Sequence, residues 1–383
     1  MGARIRDRAG STAEMLEAFG DESLVAAALS FEAALARAQA AEGVIPAAHA
    51  ALVAEVCEAR FDIDDLAERA AHAGTLAIPL VALLRERIVQ RAPDAAGAVH
   101  RGATSQDVAD TALMLQAKAG MGLLMRDAKR LEVALAALAR THAATPMLAR
   151  TLLQPAAPIT FGLKAAQWRA GIMGAVARLN REAGLALVLQ LGGPVGALGD
   201  MDGRGVAVAE RVAETLGLAG SAAPWHARRE AVAGLGAALA ILTGAVAKVA
   251  RDVALMAQGE VAEAFEPRVQ GRGGSSAMAH KRNPAGCQIA LSAAVRTPHL
   301  AATLMSAAPG AHERDLGGWQ AEAPVLAELF QLAHGAVVAM ADVAAGLQVD
   351  TVAMARNLAA ADVGDDVGEA EALTRRLLEM DGA

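Results

Sequence analysis

SQDVADTALMLQAKAGMGLLMRDAKRLEVALAALARTHAA, residues 105–144, runs for forty residues without a proline. Apolar side chains recur through it at Val108, Leu113, Leu115, Leu123, Leu124, Leu131, Leu135 and Leu138. Thr104 or Ser105 can cap its start, because a side-chain oxygen there accepts from the free N–H groups of a first turn. One continuous helix of this length would span ~60 Å, well beyond an ordinary globular helix. A rod of that kind needs partners of similar length. The stretch therefore predicts an all-α protein built on a long helical bundle, shared between subunits.

The rest of the 383 residues reads the same way. Hydrophobic residues make up 54% and aromatics only 2%, with no tyrosine. Alanine and leucine are strong helix formers, and small side chains let helices pack closely. Further long helices are expected over about 161–189, 227–263, 285–306 (with a kink site at Pro298) and 323–347. Shorter ones are expected near 21–38, from 47, near 62–74, from 78, and over 203–216. The uncharged run Ala231 to Ala247 falls short of the ~20 strongly apolar residues of a membrane span. A helix buried on all sides within the bundle is the expectation there. The organisation expected is a small N-terminal helical domain (1–97), a central long-helix domain (98–347) and a short, truncated C-terminal helical segment (348–383).

The net charge is −7, and no aromatic-plus-basic surface marks a nucleic-acid partner. The start, Met1 to Asp7, has no apolar run and does not read as a signal peptide. Cys57 and Cys287 show neither metal nor disulfide spacing, which suits a reduced, cytoplasmic setting. No phosphate-loop or zinc spacing occurs, so no cofactor and no metal are expected.

Polar islands interrupt the helical pattern. The most distinctive is Gly271-Arg272-Gly273-Gly274-Ser275-Ser276-Ala277-Met278-Ala279-His280-Lys281-Arg282-Asn283-Pro284. Three glycines in four residues allow positive φ, and two hydroxyls follow. From Pro267 to Pro284 there are four Arg/Lys and no Asp or Glu, a local basic island in an acidic chain. The plain alternative is a solvated Gly/Ser linker; a bounded cationic loop suits an anionic substrate better. A second island is His100-Arg101-Gly102-Ala103-Thr104-Ser105-Gln106-Asp107. A helix N-terminus can hold an anion, although a lone histidine such as His100 is more often structural and Thr104/Ser105 could be a cap alone. The third break, Arg150 to Thr160, carries Pro155 and Pro158.

These islands resemble the motifs of the fumarase/aspartase superfamily. The first matches the pattern GSSxMPxKxNP at seven of its eight specified positions, with Ala279 where the family carries proline. GATSQDVADTALMLQ, VLQLGGPVGALG and Pro224-Trp225-His226 are similar to the carboxymuconate cycloisomerases of that superfamily. The third break resembles RTHxQxAxPxT, with Leu152 where other branches place a proton-transferring histidine. At the places where nucleotide-cleaving members supply phosphate-binding groups stand Trp319, Gln320 and Ala323.

The resemblance implies an α-helical homotetramer with a central twenty-helix bundle and active sites assembled from three subunits. It implies catalytic roles for Ser275, Lys281 and Asn283. It implies a tricarboxylate-binding set drawn from His100, Thr104, Ser105, Gln106, Thr151, Gln154, Ser276, Met278, His280 and Arg282. The implied reaction is internal addition of a carboxylate to form a lactone, with Ser275 as general acid. A carboxylate leaving group needs no protonation, so leucine at 152 is tolerable. Rivals are a sibling acting on a sulfo- or substituted muconate, an adenylosuccinate-type lyase, and a non-catalytic helical scaffold.

Overall fold

A computed structural model of the chain describes residues 4–278 and 281–379. Among these, six α-helices precede the long rod: α1 (Arg4–Gly10), α2 (Ala13–Ala18), α3 (Asp21–Ala41), α4 (Ala47–Cys57), α5 (Ile63–Ala73) and α6 (Ala77–Val89), with a 3-10 helix at Pro93–Ala98 leading into it. The rod is α7 (Ser105–Thr141). It is followed by α8 (Phe161–Ala186), α9 (Gly205–Leu216), α10 (Glu230–Met256), α11 (Ala285–Ala307) and α12 (Gly318–Ala345). Two short helices close the chain, α13 (Thr351–Ala361) and α14 (Ala370–Glu379).

The five longest helices after residue 100 form a closed set. α7 packs against α8 and α12, α8 against α10, α10 against α11, and α11 against α12. Leu124, Leu131 and Leu135 of α7 meet Phe161, Ile172 and Leu179 of α8, Leu235 and Leu239 of α10, and Phe330 of α12 in one core. A second core joins Phe31 and Leu35 of α3 to Leu80 and Leu84 of α6. Leu189, Leu191, Val208 and Val212 from mid-chain, including α9, also enter this second core. α7 contributes to both, through Val108 and Ala112 at one end and Leu113 onward.

The all-α expectation holds, with corrections in detail. The proline-marked break is an antiparallel hairpin, β1 (Pro146–Thr151) with β2 (Gln154–Thr160), pairing Met147 with Ile159 and Thr151 with Gln154. In a two-stranded sheet every strand is an edge, so Pro155 and Pro158 are tolerated. Its tip is Leu152-Leu153, with φ of 52° and 64°. Asn-Gly is the usual signal for such a turn, and Leu-Leu sends none. A second minimal pairing joins β3 (Ala264–Phe265) to β4 (Gln348–Val349).

α10 stops at Met256 rather than Glu263, and it buries one face rather than all sides, since Ile241 and Leu255 are exposed. α12 starts at Gly318 rather than Ala323, because the Asp315 carboxylate accepts from Gly318 N (2.9 Å) and caps it. α3, α10 and α12 are each long and apolar enough by composition to cross a membrane; α3 and α12 are mostly buried in the packing, and α10 about half.

Candidate functional site

The loop between β3 and α11 is clasped at its base. The Glu266 carboxylate accepts from Gly286 N (3.0 Å) and Cys287 N (2.8 Å), so it occupies the N-terminus of α11. The Arg282 guanidinium donates to the Glu266 carbonyl (3.0 Å) and Gln348 Oε1 (2.9 Å) and lies over the Phe265 ring. Asn283 closes the clasp from the other side. Its N–H donates to the Gly273 carbonyl (2.8 Å) and its Nδ2 to the Gly274 carbonyl (3.2 Å). Gly273 sits at φ 70°, and a Cβ there would lie 2.5 Å from the Asn283 carbonyl oxygen. Only glycine allows that approach.

Beyond the clasp the loop opens to solvent. Ser275 Oγ accepts from Ala277 N (3.3 Å) and Met278 N (3.1 Å). Two amides thus point at the hydroxyl, an arrangement that lowers the cost of negative charge on it. Ser276 and Met278 are exposed. Lys281 is exposed, and its amine has no partner among the described residues. Arg268, Arg272, Lys281, Arg282 and Asn283 line a cleft of about 290 Å³ whose one acid among the described residues is Glu266; Ser275 is not in its lining. His280 and Ala279 lie outside the described residues.

The island at the start of α7 has the opposite character, since the carboxylates of that helix end are spent on buried partners. Asp107 is fully buried and accepts from Thr104 N (2.9 Å), Gly192 N (3.0 Å), Gly193 N (2.9 Å) and His226 Nε2 (2.7 Å). One carboxylate thereby ties the helix start to the glycine turn and to the segment before α10. Gly192 packs so tightly that a Cβ would lie 2.8 Å from His226 Cε1.

One turn further on, Asp110 receives both guanidinium NH2 groups of Arg229 (2.8 and 2.9 Å), and Glu322 of α12 receives Arg229 Nε (3.0 Å). All three are buried. Burial pulls against the Arg229 charge, but Asp110 and Glu322 more than offset it, so its pKa rises. Burial pushes the Glu322 carboxyl up, with Arg229 opposing. Gln190 Nε2 donates to Asp110 (3.0 Å), and its Oε1 accepts from Trp225 N (2.9 Å).

The residues expected to bind substrate fall at different depths. Gln106 is wholly buried; its Nε2 donates to Asp110 (3.2 Å) and the His226 carbonyl (3.0 Å). It serves the network and faces no solvent in this chain. Thr104 and Ser105 are half-buried, and the Ser105 hydroxyl has no partner among the described residues. His100 sits at φ 59°, with Nδ1 2.6 Å from Glu32 Oε1, a buried carboxylate of α3. Thr151 and Gln154 are exposed on the hairpin. Next to the tip, Arg150 is bidentate to buried Glu263 (2.9 and 2.8 Å) and ties that end of the hairpin down. Leu152 at its tip is 96% exposed. Beside this pair, burial lowers the Lys164 pKa, with Asp252 opposing.

Among the described residues no hydrogen bond or ion pair joins the Thr104–Ser105 island to the Ser275 loop or the hairpin tip. Sequence reasoning missed Asp107, Asp110, Arg229, Glu322 and Glu32. Asp107 and Asp110 carried a signal: two acids one turn apart on a helix otherwise lined with core residues. Among the described residues no group of three or more His, Cys, Asp or Glu could hold a metal ion.

The family model described as Lyase matches residues 7–298. The 3-carboxy-cis,cis-muconate cycloisomerase of Bradyrhizobium diazoefficiens is 48% identical over 373 residues, covering 97% of this chain and 82% of that protein. The Pseudomonas aeruginosa protein of the same name is 43% identical over 351 residues, covering 90% and 76%. Among solved structures, the 3-carboxy-cis,cis-muconate lactonizing enzyme of Pseudomonas putida superposes with a TM-score of 0.87 at 39% identity, covering 93% of this chain and 79% of that one. With the family model matching most of the chain and the helical fold shared with these relatives, the chain belongs to the lyase family of the fumarase/aspartase superfamily.

Proposed function

We propose that the protein is a cycloisomerase that closes 3-carboxy-cis,cis-muconate to 4-carboxymuconolactone, in protocatechuate catabolism. One substrate carboxylate adds to a carbon of its own diene and forms the ring C–O bond. The displaced π electrons move toward the carbon α to another carboxylate, which carries the charge as an aci-carboxylate. Ser275 delivers a proton to that carbon. The two amides on Ser275 Oγ stabilise the oxyanion left behind. Lys281, exposed and without a partner among the described residues, supplies the cation for the aci-carboxylate, with Asn283 beside it. The nucleophile belongs to the substrate, so positioning carries much of the rate.

The observation that carries this reading is Leu152. The exposed hairpin tip presents no proton donor where fumarase-type elimination needs one. Lactonisation has no such need, because its leaving group in reverse is a carboxylate. A nucleotide substrate fits poorly, because Trp319, Gln320 and Ala323 bring no cationic group to the places where nucleotide-cleaving members bind phosphate.

The protein acts as a homotetramer with each site shared between three subunits, and its partner is a small tricarboxylate rather than a nucleic acid or a membrane. The separation of the three islands within one chain and the exposed Ile241 and Leu255 face of α10 support that assembly. It works in the cytoplasm. The test is an ultraviolet assay of the purified protein with 3-carboxy-cis,cis-muconate, adenylosuccinate and fumarate. Loss of diene absorbance with the first alone is expected. Cleavage of adenylosuccinate with the diene untouched would overturn the reading.

A further inference from the structure

A second cationic cleft, of about 410 Å³, lies between the turn joining α1 to α2, the middle of α7 and the facing part of α12. Four arginines line it, Arg8, Arg126, Arg130 and Arg272, against three carboxylates, Glu14, Asp127 and Asp342. All three carboxylates are taken. Arg126 pairs with Glu14 (2.6 Å) and Asp127 (2.6 Å), and Arg130 pairs with Asp127 (2.7 Å) and Asp342 (2.9 Å). Asp127 also accepts from His334 Nε2 (2.9 Å). Two guanidinium groups are left without an acid among the described residues. Arg8 donates one N–H to the Ser11 carbonyl (3.0 Å), and the Arg272 side chain has no hydrogen-bond or ion-pair partner there.

Arg272 reaches this cleft from the Ser275 loop. It stands between Gly271 and Gly273, both at positive φ (79° and 70°), and it crosses the first turn of α11 at Gly286. A Cβ on Gly286 would collide with Arg272 Nη2 and lie 2.5 Å from Val343 Cγ2 of α12, so glycine opens the passage. On its other side Arg272 borders the cleft of Lys281 and Asn283. Glu266, which also flanks Gly286, is spent on the Gly286 and Cys287 amides.

We propose that the cleft of Arg8 and Arg272 binds a small dianion, a dicarboxylate or inorganic phosphate, and that the bound anion tethers the base of the Ser275 loop. A guanidinium presents a planar fork of N–H groups that carboxylate and phosphate oxygens accept in pairs. Two cations without acids on one cleft raise the local concentration of such ions. Because Arg272 belongs to the loop, an anion that holds its guanidinium holds Gly271 to Gly273 against α1 and α12. The proposal stands whether or not the muconate is the substrate.

Calorimetric titration of the full chain with inorganic phosphate and, separately, with succinate tests the site and tells the two sources apart. At least one of them should bind. Arg8→Gln and Arg272→Gln should each weaken that binding at least ~10-fold. Lys281→Gln, which alters only the loop cleft, should leave it unchanged. Arg8 is exposed, so Arg8→Gln should keep the parent's Tm in the absence of anion. Amide hydrogen exchange reads the tether: the bound anion should slow exchange over residues 267–278 in the parent and not in Arg8→Gln. Failure of both anions to bind overturns the site, as does binding that Lys281→Gln abolishes and Arg8→Gln spares. Binding that leaves loop exchange unchanged overturns the tether.

Discussion

The α7 hub and the Ser275 loop are two ways of holding polar chemistry in one chain. At the hub, Asp107, Asp110, Arg229 and Glu322 are buried and fully engaged, and the geometry is rigid because moving any member orphans another. At the loop, a clasp of Arg282, Asn283 and Glu266 holds the base, Ser275 is half-buried, and Ser276 to Met278 and Lys281 face solvent. The contrast separates support from reactivity. Groups that fix a helix end tolerate burial because they are paired. Groups that exchange protons or charge with a substrate must be left unspent.

Breaking the exposed half should be the larger effect on turnover. Ser275→Ala is expected to lower kcat roughly 10⁴-fold, ~5 kcal/mol of barrier, with thermal unfolding unchanged. Normal turnover would end the general-acid assignment, and a collapse in Tm would erase the distinction between the two regions. Breaking the hub should act on stability instead. Asp110→Ala leaves Arg229 with Glu322 alone in a buried site, and about 4 kcal/mol should be lost in denaturant unfolding. A loss below about 1 kcal/mol would show the hub to be dispensable packing.

The clasp lies between these extremes. Gly273→Ala forces a Cβ into the Asn283 carbonyl at a positive φ and should cost about 2 kcal/mol. Because the strain falls on the loop, turnover should drop while the unfolding midpoint of the bundle moves little. The smallest effect sharpens the comparison through a third cluster, Asp127 of α7. Burial would raise its carboxyl, but Arg130, Arg126 and His334 donate to it and bring its pKa from 3.8 down to about 2. A depressed carboxyl contributes stability above its unfolded pKa and loses it as pH falls through the folded one. Helical signal followed during acidification should therefore show a loss between about pH 4 and pH 2 that Asp127→Asn abolishes. An identical acid transition in the variant would assign that loss elsewhere.

Much of the architecture was legible in the residues. Asp62 before α5 and Gly74 after it, with its carboxylate accepting from Asp64 N and Asp65 N and its glycine at φ 74°, behave as their types require. The start of α7 at Ser105 followed from Thr104. The hairpin did not show, because a Leu-Leu tip at positive φ contradicts every local turn preference. Its anchoring depends on Arg150 finding Glu263, 113 positions away. The early start of α12 was missed because the capping acid, Asp315, lies three residues before the helix rather than next to it.

The sequence by itself determined the helical class, the long rods and the contents of the Ser275 loop, because periodicity, caps and a contiguous motif are carried by neighbouring residues. Only the tertiary structure decided which charges are buried and with whom. Asp110 meets Arg229 across 119 residues and His100 meets Glu32 across 68. Spacing along the chain encodes neither pairing: an ion pair of this kind exists only where packing brings the partners together and excludes water.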